Sequence, residues 1–126
     1  MATYLLDTDI IIDVLNGKRD RPVLLRNLLA EGHLLACCPI NITEIYAGLR
    51  PGEELKTSAF LQSLQYYPID FITARLAGTL KYEYGKKGKS LNIADSTIAA
   101  VAIQHRLPLI TGNKKDFPME ELELYL

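Results

Sequence analysis

Short apolar runs alternate with segments of helical periodicity along the whole of this chain. Residues 4–6 form one such run, and the helical spacing of Ile10, Ile11, Val14 and Leu15 follows it directly. The same alternation continues to the C-terminus and predicts strands near 4–6, 34–38, 66–69, 108–110 and 122–125. Strands separated by helices form parallel sheets that are covered by helices on both faces. The pattern therefore predicts an α/β fold with three layers, α/β/α, around a central, mainly parallel sheet of four to five strands.

The length and composition of the chain are those of one globular domain. We expect its 126 residues to form a single domain, 1–126, because 48% hydrophobic and 23% charged residues are typical of a packed protein. The apolar runs are far shorter than the roughly 20 residues that span a bilayer. Asp7 and Asp9 interrupt the N-terminal segment, which therefore does not resemble a signal peptide. We expect a cytoplasmic protein with no membrane contact.

The charge of the chain is nearly balanced. A formal net charge of −1 provides no global attraction to nucleic acid, so a polyanionic partner has to meet a local basic patch. The segment 86–89, Lys-Lys-Gly-Lys, is one candidate because it leads towards Asp95, and Arg50 and Lys114 are others. Charged loops are also often simply solvated, and the sequence leaves both interpretations open.

Four acidic residues follow predicted strands or begin predicted helices. Asp7 comes directly after the first strand, Glu44 follows the second, Asp95 opens a buried helix over 97–103, and Asp116 follows the strand at 108–110. The last three each stand three residues after an asparagine, a spacing that also suits helix capping. Helices that follow parallel strands begin at one edge of the sheet. We therefore expect the four carboxylates to converge there as a site, rather than to act only as caps.

A cluster of four carboxylates needs positive charge close to it. Without a cation the acids would repel one another and bind protons. Ligands that are oxygen atoms alone favour a hard divalent ion, Mg²⁺ or Mn²⁺, and neither His33 nor His105 has a ligand-like spacing. Such ions catalyse phosphodiester hydrolysis by activating water and stabilising charge on the phosphate. The residues therefore indicate metal-dependent chemistry on phosphodiester bonds.

Four segments, in this order, resemble those of PIN-domain nucleases of the VapC toxin type. They are Leu-Leu-Asp-Thr at 5–8, Thr-Glu-Ile-Tyr-Ala-Gly at 43–48, Ala-Asp-Ser-Thr-Ile-Ala-Ala at 94–100 and Thr-Gly-Asn-Lys-Lys-Asp-Phe at 111–117. The resemblance covers nearly the whole chain. It implies a PIN-like fold and an endoribonuclease that uses activated water, as the toxin of a type II toxin–antitoxin (VapBC) pair.

The resemblance also implies roles for individual residues and partners. Asp7 and Asp95 are implied as the chief metal ligands, with Glu44 and Asp116 completing the catalytic site. The polar residues implied to support these acids are Thr8, Thr111 and Asn113. The implied partners are an RNA substrate, with transfer RNA favoured, a cognate VapB-like antitoxin, and a second copy of the chain in a homodimer.

Two further acids near the N-terminus are left out of the predicted site. Asp9 lies two residues after Asp7, and we interpret it as a cap of the first helix. Asp13 is expected to face solvent.

Two other classes of protein share part of the pattern. Asp7-Thr8-Asp9 after an apolar strand resembles the motif of haloacid-dehalogenase-type phosphatases, in which the first Asp, here Asp7, is the nucleophile. A non-enzymatic phosphoacceptor receiver module has a similar length and sheet, with an acidic pocket that holds magnesium. Receivers carry an acceptor Asp after the middle strand, whereas Pro39-Ile40-Asn41 follows the second strand here. Both alternatives predict phosphorylation of the protein itself.

Overall fold

Five short strands and six helices alternate along the chain in the computed structural model, which describes residues 1–126. In chain order they are β1 (Thr3–Leu6), α1 (Thr8–Asn16), α2 (Arg21–Ala30), β2 (Leu34–Cys37), α3 (Pro39–Ala47), α4 (Glu54–Gln62), β3 (Gln65–Tyr66), α5 (Phe71–Lys86), α6 (Ile93–His105), β4 (Leu109–Ile110) and β5 (Leu124–Tyr125). A 3₁₀ turn, Lys114–Asp116, lies between β4 and β5. None of the helices is both long and apolar enough to cross a membrane.

All neighbouring strands run parallel, in the order β3-β2-β1-β4-β5. The predicted parallel sheet is therefore confirmed. The third strand is shorter than the predicted 66–69, because Pro68 lacks the N–H group that would continue the ladder. Its last bond to β2 runs from the Tyr67 N–H to the Cys37 carbonyl, at 2.9 Å. The sheet ends there in an exposed edge.

Successive residues of the central strands point into two separate cores. Leu5 and Leu109 pack with α5 and α6 on one face, whereas Leu6 and Ile110 pack with α1, α2 and α4 on the other. This alternation follows from the two-residue period of a strand. Since both faces are buried, the central strands β1, β2 and β4 need apolar residues wherever they enter the two cores. The structure thus has the three layers, α/β/α, that the sequence predicts.

Helix α6 is buried on all its sides. The seven consecutive residues from Ser96 to Ala102 are inaccessible to solvent or nearly so. Alanines at 99, 100 and 102 allow the close approach of α5 and of the sheet. The buried helix predicted over 97–103 is therefore confirmed, and Asp95 lies in its first turn.

The direction in which the chain crosses the sheet reverses at β1. From β1 it proceeds outward through β2 and β3 by way of α1–α4, and α5 and α6 then carry it back to β4 on the other side of β1. Right-handed crossovers in opposite directions place their helices on opposite faces, as observed. Ligands of such sheets bind at the carboxyl ends of the strands where the order reverses. That position lies between β1 and β4.

Two isoleucines of α6 test how far this packing determines stability. Ile98 is fully buried, whereas Ile93 is 68% exposed. We expect Ile98→Ala to lower the free energy of unfolding by about 2–5 kcal/mol, because it leaves a cavity in a dense core. The control Ile93→Ala should change it by no more than about 0.5 kcal/mol. Urea unfolding measures both, and equal losses would contradict the assignment of α6 to the core.

Candidate active site

Asp7 lies at the switch point between β1 and β4 and is held from both sides. It directly follows β1 and caps α1, where its Oδ1 accepts a hydrogen bond from the Thr8 N–H at 2.8 Å. Its Oδ2 accepts from the Thr111 hydroxyl at 2.7 Å, at the end of β4. The Asp7 N–H also donates to the Ile110 carbonyl. The carboxylate is therefore fixed by residues that only the sheet brings together.

A negative charge on the Asp7 carboxyl is unfavourable unless a positive charge lies close to it. It is 7% exposed, and burial is the main reason why its pKa rises from 3.8 to about 7. The hydrogen bond from Thr111 opposes this rise, and the nearby Asp9 carboxylate reinforces it. Without a cation, Asp7 is therefore protonated in an appreciable fraction of molecules near neutral pH.

Glu44 is connected to this position through Thr8. The Thr8 hydroxyl donates to Glu44 Oε1 at 2.6 Å and accepts from the Asn41 side-chain amide at 3.0 Å. Asn41 is fully buried, and its amide also reaches the Leu6 carbonyl, while its oxygen accepts from the Cys38 N–H. Asn41 thus joins the ends of β1 and β2. The sequence prediction included Thr8 but missed Asn41, whose position near a strand end was the available signal.

Asp95 lies at the same edge of the sheet, in the first turn of α6. Asn92 is the N-cap of that helix and accepts from the Asp95 N–H at 2.7 Å. Burial raises the pKa of the Asp95 carboxyl, and the nearby carboxylates of Asp116, Glu44 and Asp9 raise it further. Asp116 and Glu44 therefore lie near Asp95, and Thr8 and Asp9 connect this group to Asp7, so the four predicted acids share one edge of the sheet. The asparagine three residues earlier caps the helix by its own side chain, so the Asp95 carboxyl remains available to the cluster.

Asp9 is a fifth acid of this edge, which the sequence analysis excluded. Its predicted capping role is wrong, because Asp7 is the N-cap of α1 and Asp9 lies in the first turn. Asp9 Oδ2 accepts from the Asn113 side-chain amide at 2.7 Å, whereas Oδ1 is buried without a hydrogen-bond partner. Asn113 therefore supports Asp9, and its N–H donates to the Thr111 hydroxyl. The spacing Asp-x-Asp after a strand was the signal that could have identified Asp9.

Asp13 does not face solvent as predicted. It is 8% exposed and forms ion pairs with Arg19 at 2.9 Å and Arg21 at 3.5 Å. Arg21 extends from there to Gly112, where an added Cβ would lie 3.1 Å from its guanidinium and 3.4 Å from Asp9. Glycine at 112 therefore leaves room for a partly buried arginine beside the acids. The arginine contributes positive charge behind the cluster.

The acids of this edge meet the chemical requirements of a divalent cation. All the potential metal ligands are oxygen atoms. Asp9 Oδ1 is buried and accepts no hydrogen bond. Asp7 and Asp95 have raised pKa values that a bound cation would lower again. No three side chains form a complete metal-binding group as they are arranged here, so the acids would have to rotate to share one ion.

Comparison with known proteins identifies relatives along almost the whole chain. The family model described as PIN domain matches residues 4–119. Ribonuclease VapC19 of Mycobacterium tuberculosis is 32% identical over 115 residues, which are 91% of this chain and 92% of that protein. Ribonuclease VapC10 of the same organism is 30% identical over 93% of this chain and 87% of its own length.

Solved structures agree with this match. VapBC2 from Rickettsia felis, in a crystal structure with a DNA fragment from its promoter, superimposes with a TM-score of 0.83 and 26% identity over 98% of this chain and 97% of that one. A toxin–antitoxin complex from Klebsiella pneumoniae gives a TM-score of 0.75 and 30% identity over 96% and 99%. The resemblance found in the four sequence segments is confirmed, and the chain belongs to the PIN-domain family.

Proposed function

We propose that this protein is an endoribonuclease, the VapC-like toxin of a toxin–antitoxin pair, which hydrolyses RNA phosphodiester bonds by activated water. The observation that carries the proposal is the convergence of Asp7, Glu44, Asp95 and Asp116 at the switch point of a PIN fold. The relatives named as ribonucleases cover more than nine-tenths of this chain. We assign the catalytic and metal-binding roles to these four acids.

The proposed chemistry divides between a metal ion and the side chains that hold it. Asp7, Glu44, Asp95 and Asp116 would hold a Mg²⁺ or Mn²⁺ ion, which would supply activation of water and stabilisation of charge on the phosphate. Thr111 orients the Asp7 carboxylate, Thr8 orients Glu44, and Asn92 holds the first turn that carries Asp95. Asn113 orients Asp9, which we add to the acids that surround the ion. These hydrogen bonds fix where each acid starts, and the carboxylates would still have to rotate to share one ion.

The phosphatase and receiver alternatives are not retained. The family match covers residues 4–119 and belongs to neither class. Both Asp7 oxygens accept hydrogen bonds, from the Thr8 N–H and the Thr111 hydroxyl, and burial raises the carboxyl pKa. The raised pKa weakens an uncompensated Asp7 as nucleophile and as ligand alike, so the family match is the reason to set both alternatives aside.

We propose that a VapB-like antitoxin binds a groove beside the acids. The groove, of about 210 Å³, lies between α1, α3 and α4, and its apolar lining comes from Ile12, Leu15, Ile45 and Leu49. Glu44 forms part of the same lining, so the groove leads to the acidic site. A basic side chain of the antitoxin reaching past Glu44 could neutralise the acids through paired hydrogen bonds.

Three narrower features of this proposal come from the family resemblance. We propose transfer RNA as the substrate, a homodimer as the assembly, and the cytoplasm, where transfer RNA is found, as the location. Sequencing the RNA ends produced after brief expression tests the substrate, and sedimentation of the purified protein tests the assembly.

The first prediction concerns cleavage itself. The purified protein with Mg²⁺ or Mn²⁺ should cut single-stranded RNA, and Asp95→Asn should lower the rate by at least about 100-fold, since even residues that only orient metal ligands commonly matter by about 10–100-fold. Because Asn92 caps the helix through the backbone at 95, the variant should keep its fold. The exposed Asp20→Asn is the matched control and should cleave at the wild-type rate. Wild-type cleavage by Asp95→Asn, in preparations free of contaminating nuclease, would refute the assignment.

The second prediction concerns pH and metal. Between pH 3.8 and about 7, folded Asp7 retains a proton that the unfolded chain has released, so stability without metal should fall as pH rises, by up to about 1.4 kcal/mol per pH unit. Asp95, whose pKa is also raised, contributes in the same direction. Asp7→Asn should flatten this dependence and diminish the rise in Tm that Mn²⁺ produces at pH 7.5, whereas Asp20→Asn should preserve both. Thermal unfolding across pH measures these effects, and a full Mn²⁺ shift in Asp7→Asn would show that Asp7 is no ligand.

The third prediction concerns the antitoxin groove. Ile12 is 42% exposed in the groove, and Ile12→Asp should weaken binding of the cognate antitoxin by at least about tenfold, because it places a charge in an apolar contact. RNA cleavage should persist. Ile72→Asp, on α5 across the sheet, is the control and should leave antitoxin binding unchanged. Calorimetric titration with the small protein encoded beside the gene measures both, and equal affinities would place the antitoxin elsewhere.

A further inference from the structure

Two adjoining cavities extend from the acidic site along α5. The first, of about 590 Å³, is lined by Asp95 and Asp116 at one end and by Lys81, Lys89 and Lys115 around it. The second, of about 700 Å³, shares Lys81, Ser90 and Leu91 with the first and continues along α5 past Tyr82 and Lys86. We call the two together the lysine groove. It is a continuous path from the acids to the exposed end of α5.

The lysines of this groove form no ion pair with an acidic residue of the chain. The ion pairs of the structure are Arg19–Asp13, Arg21–Asp13, His33–Glu31 and Arg50–Glu53, and none of them includes a groove lysine. Lys81 donates to the Leu91 carbonyl, which anchors its ammonium group at the junction of the cavities. Lys89 and Lys115 are exposed on its rim. The positive charge is therefore concentrated beside the acids in a chain whose net charge is −1.

Two glycines of α5 line the groove without a packing reason. Glycine is unfavourable inside a helix compared with alanine. A Cβ at Gly78 or Gly85 would nevertheless meet no atom within 4 Å, so no neighbour in the chain demands their small size. Their effect is to leave the helix surface bare within the second cavity. That space is open to a ligand.

Tyr82 provides a flat aromatic surface between these glycines. It is 66% exposed, and the Lys86 ammonium group lies 5.3 Å from the centroid of its ring. An exposed tyrosine among cations is the combination with which proteins bind single-stranded nucleic acid, since bases stack on the ring and phosphates contact the cations. The lysine groove has both the exposed aromatic ring and the cations of such a surface.

We propose that the lysine groove binds the RNA strand on one side of the scissile phosphate. Lys81, Lys89 and Lys115 contact successive phosphates, and Tyr82 stacks on a base. The lysines also offset the repulsion between the acids and the RNA backbone, which explains why basic residues surround Asp95 and Asp116. This inference rests on the proposed ribonuclease function, and it adds the path by which the substrate reaches the site.

Binding of a fluorescein-labelled single-stranded oligouridylate in EDTA tests the groove separately from cleavage. Lys89→Gln/Lys115→Gln, whose exposed side chains can change without loss of packing, should weaken binding several-fold at low salt. The slope of log K against log salt should fall by about 0.7 for each phosphate that the variant no longer neutralises. Tyr82→Leu should weaken binding at least about fivefold. In cleavage assays the same variants should raise KM more than they lower kcat.

The control is Arg106→Gln, which removes one positive charge at the C-terminal end of α6, away from the groove. It should preserve the affinity and the salt slope. If the lysine variant binds RNA as the wild type does and keeps its KM, the groove is not the RNA path, although cleavage by the wild type would still support the ribonuclease. If that variant instead dissociates a dimer in sedimentation and binds RNA normally, the groove is a surface between two copies and the proposal is wrong. RNA binding that weakens as expected supports the groove even if no cleavage is found.

Discussion

The joining of β1 to β4 at Asp7 is the contact on which the rest of the site depends. The Asp7 N–H donates to the Ile110 carbonyl, and the hydroxyl of Thr111, 104 positions away in sequence, donates to the Asp7 carboxylate. This pairing places the reversal of strand order directly at an acid. Helices α1 and α6 both begin at this edge of the sheet and carry Asp9 and Asp95 in their first turns. A change in the β1–β4 register would separate the carboxylates.

Assembling these acids costs electrostatic energy, and several features of the fold reduce that cost. Burial and mutual repulsion raise the pKa values of Asp7 and Asp95. The N-termini of α1 and α6 present positive partial charge to the cluster. Arg21 lies behind it, in space that Gly112 leaves open. A divalent ion would offset the remaining excess of negative charge and would bind the Asp9 oxygen that accepts no hydrogen bond. The same repulsion that destabilises the site without metal thus favours the binding of a cation.

The elements of the fold were predictable because both faces of the sheet are buried. Each central strand has to be apolar throughout, and α6 has to be apolar on all sides, so these segments are distinct in the sequence. The third strand was predicted too long, since a two-residue edge strand buries little and leaves a weak pattern. Asp13 was misplaced for a different reason: a buried acid paired with Arg19 and Arg21 has the same residue type as an exposed one.

The sequence by itself determined the parallel α/β architecture and four of the acids at its edge, because apolar periodicity and strand-end positions are local properties of the chain. It also determined family membership, through four segments in a fixed order. Only the tertiary structure decided that Asp9 joins the acids, that Asn41 ties β1 to β2 through Thr8, and that the lysines of α5, of the following loop and of the 3₁₀ turn form one groove beside Asp95. These residues are separated along the chain by other elements, and their roles arise from distances that the packing of the helices against the sheet sets.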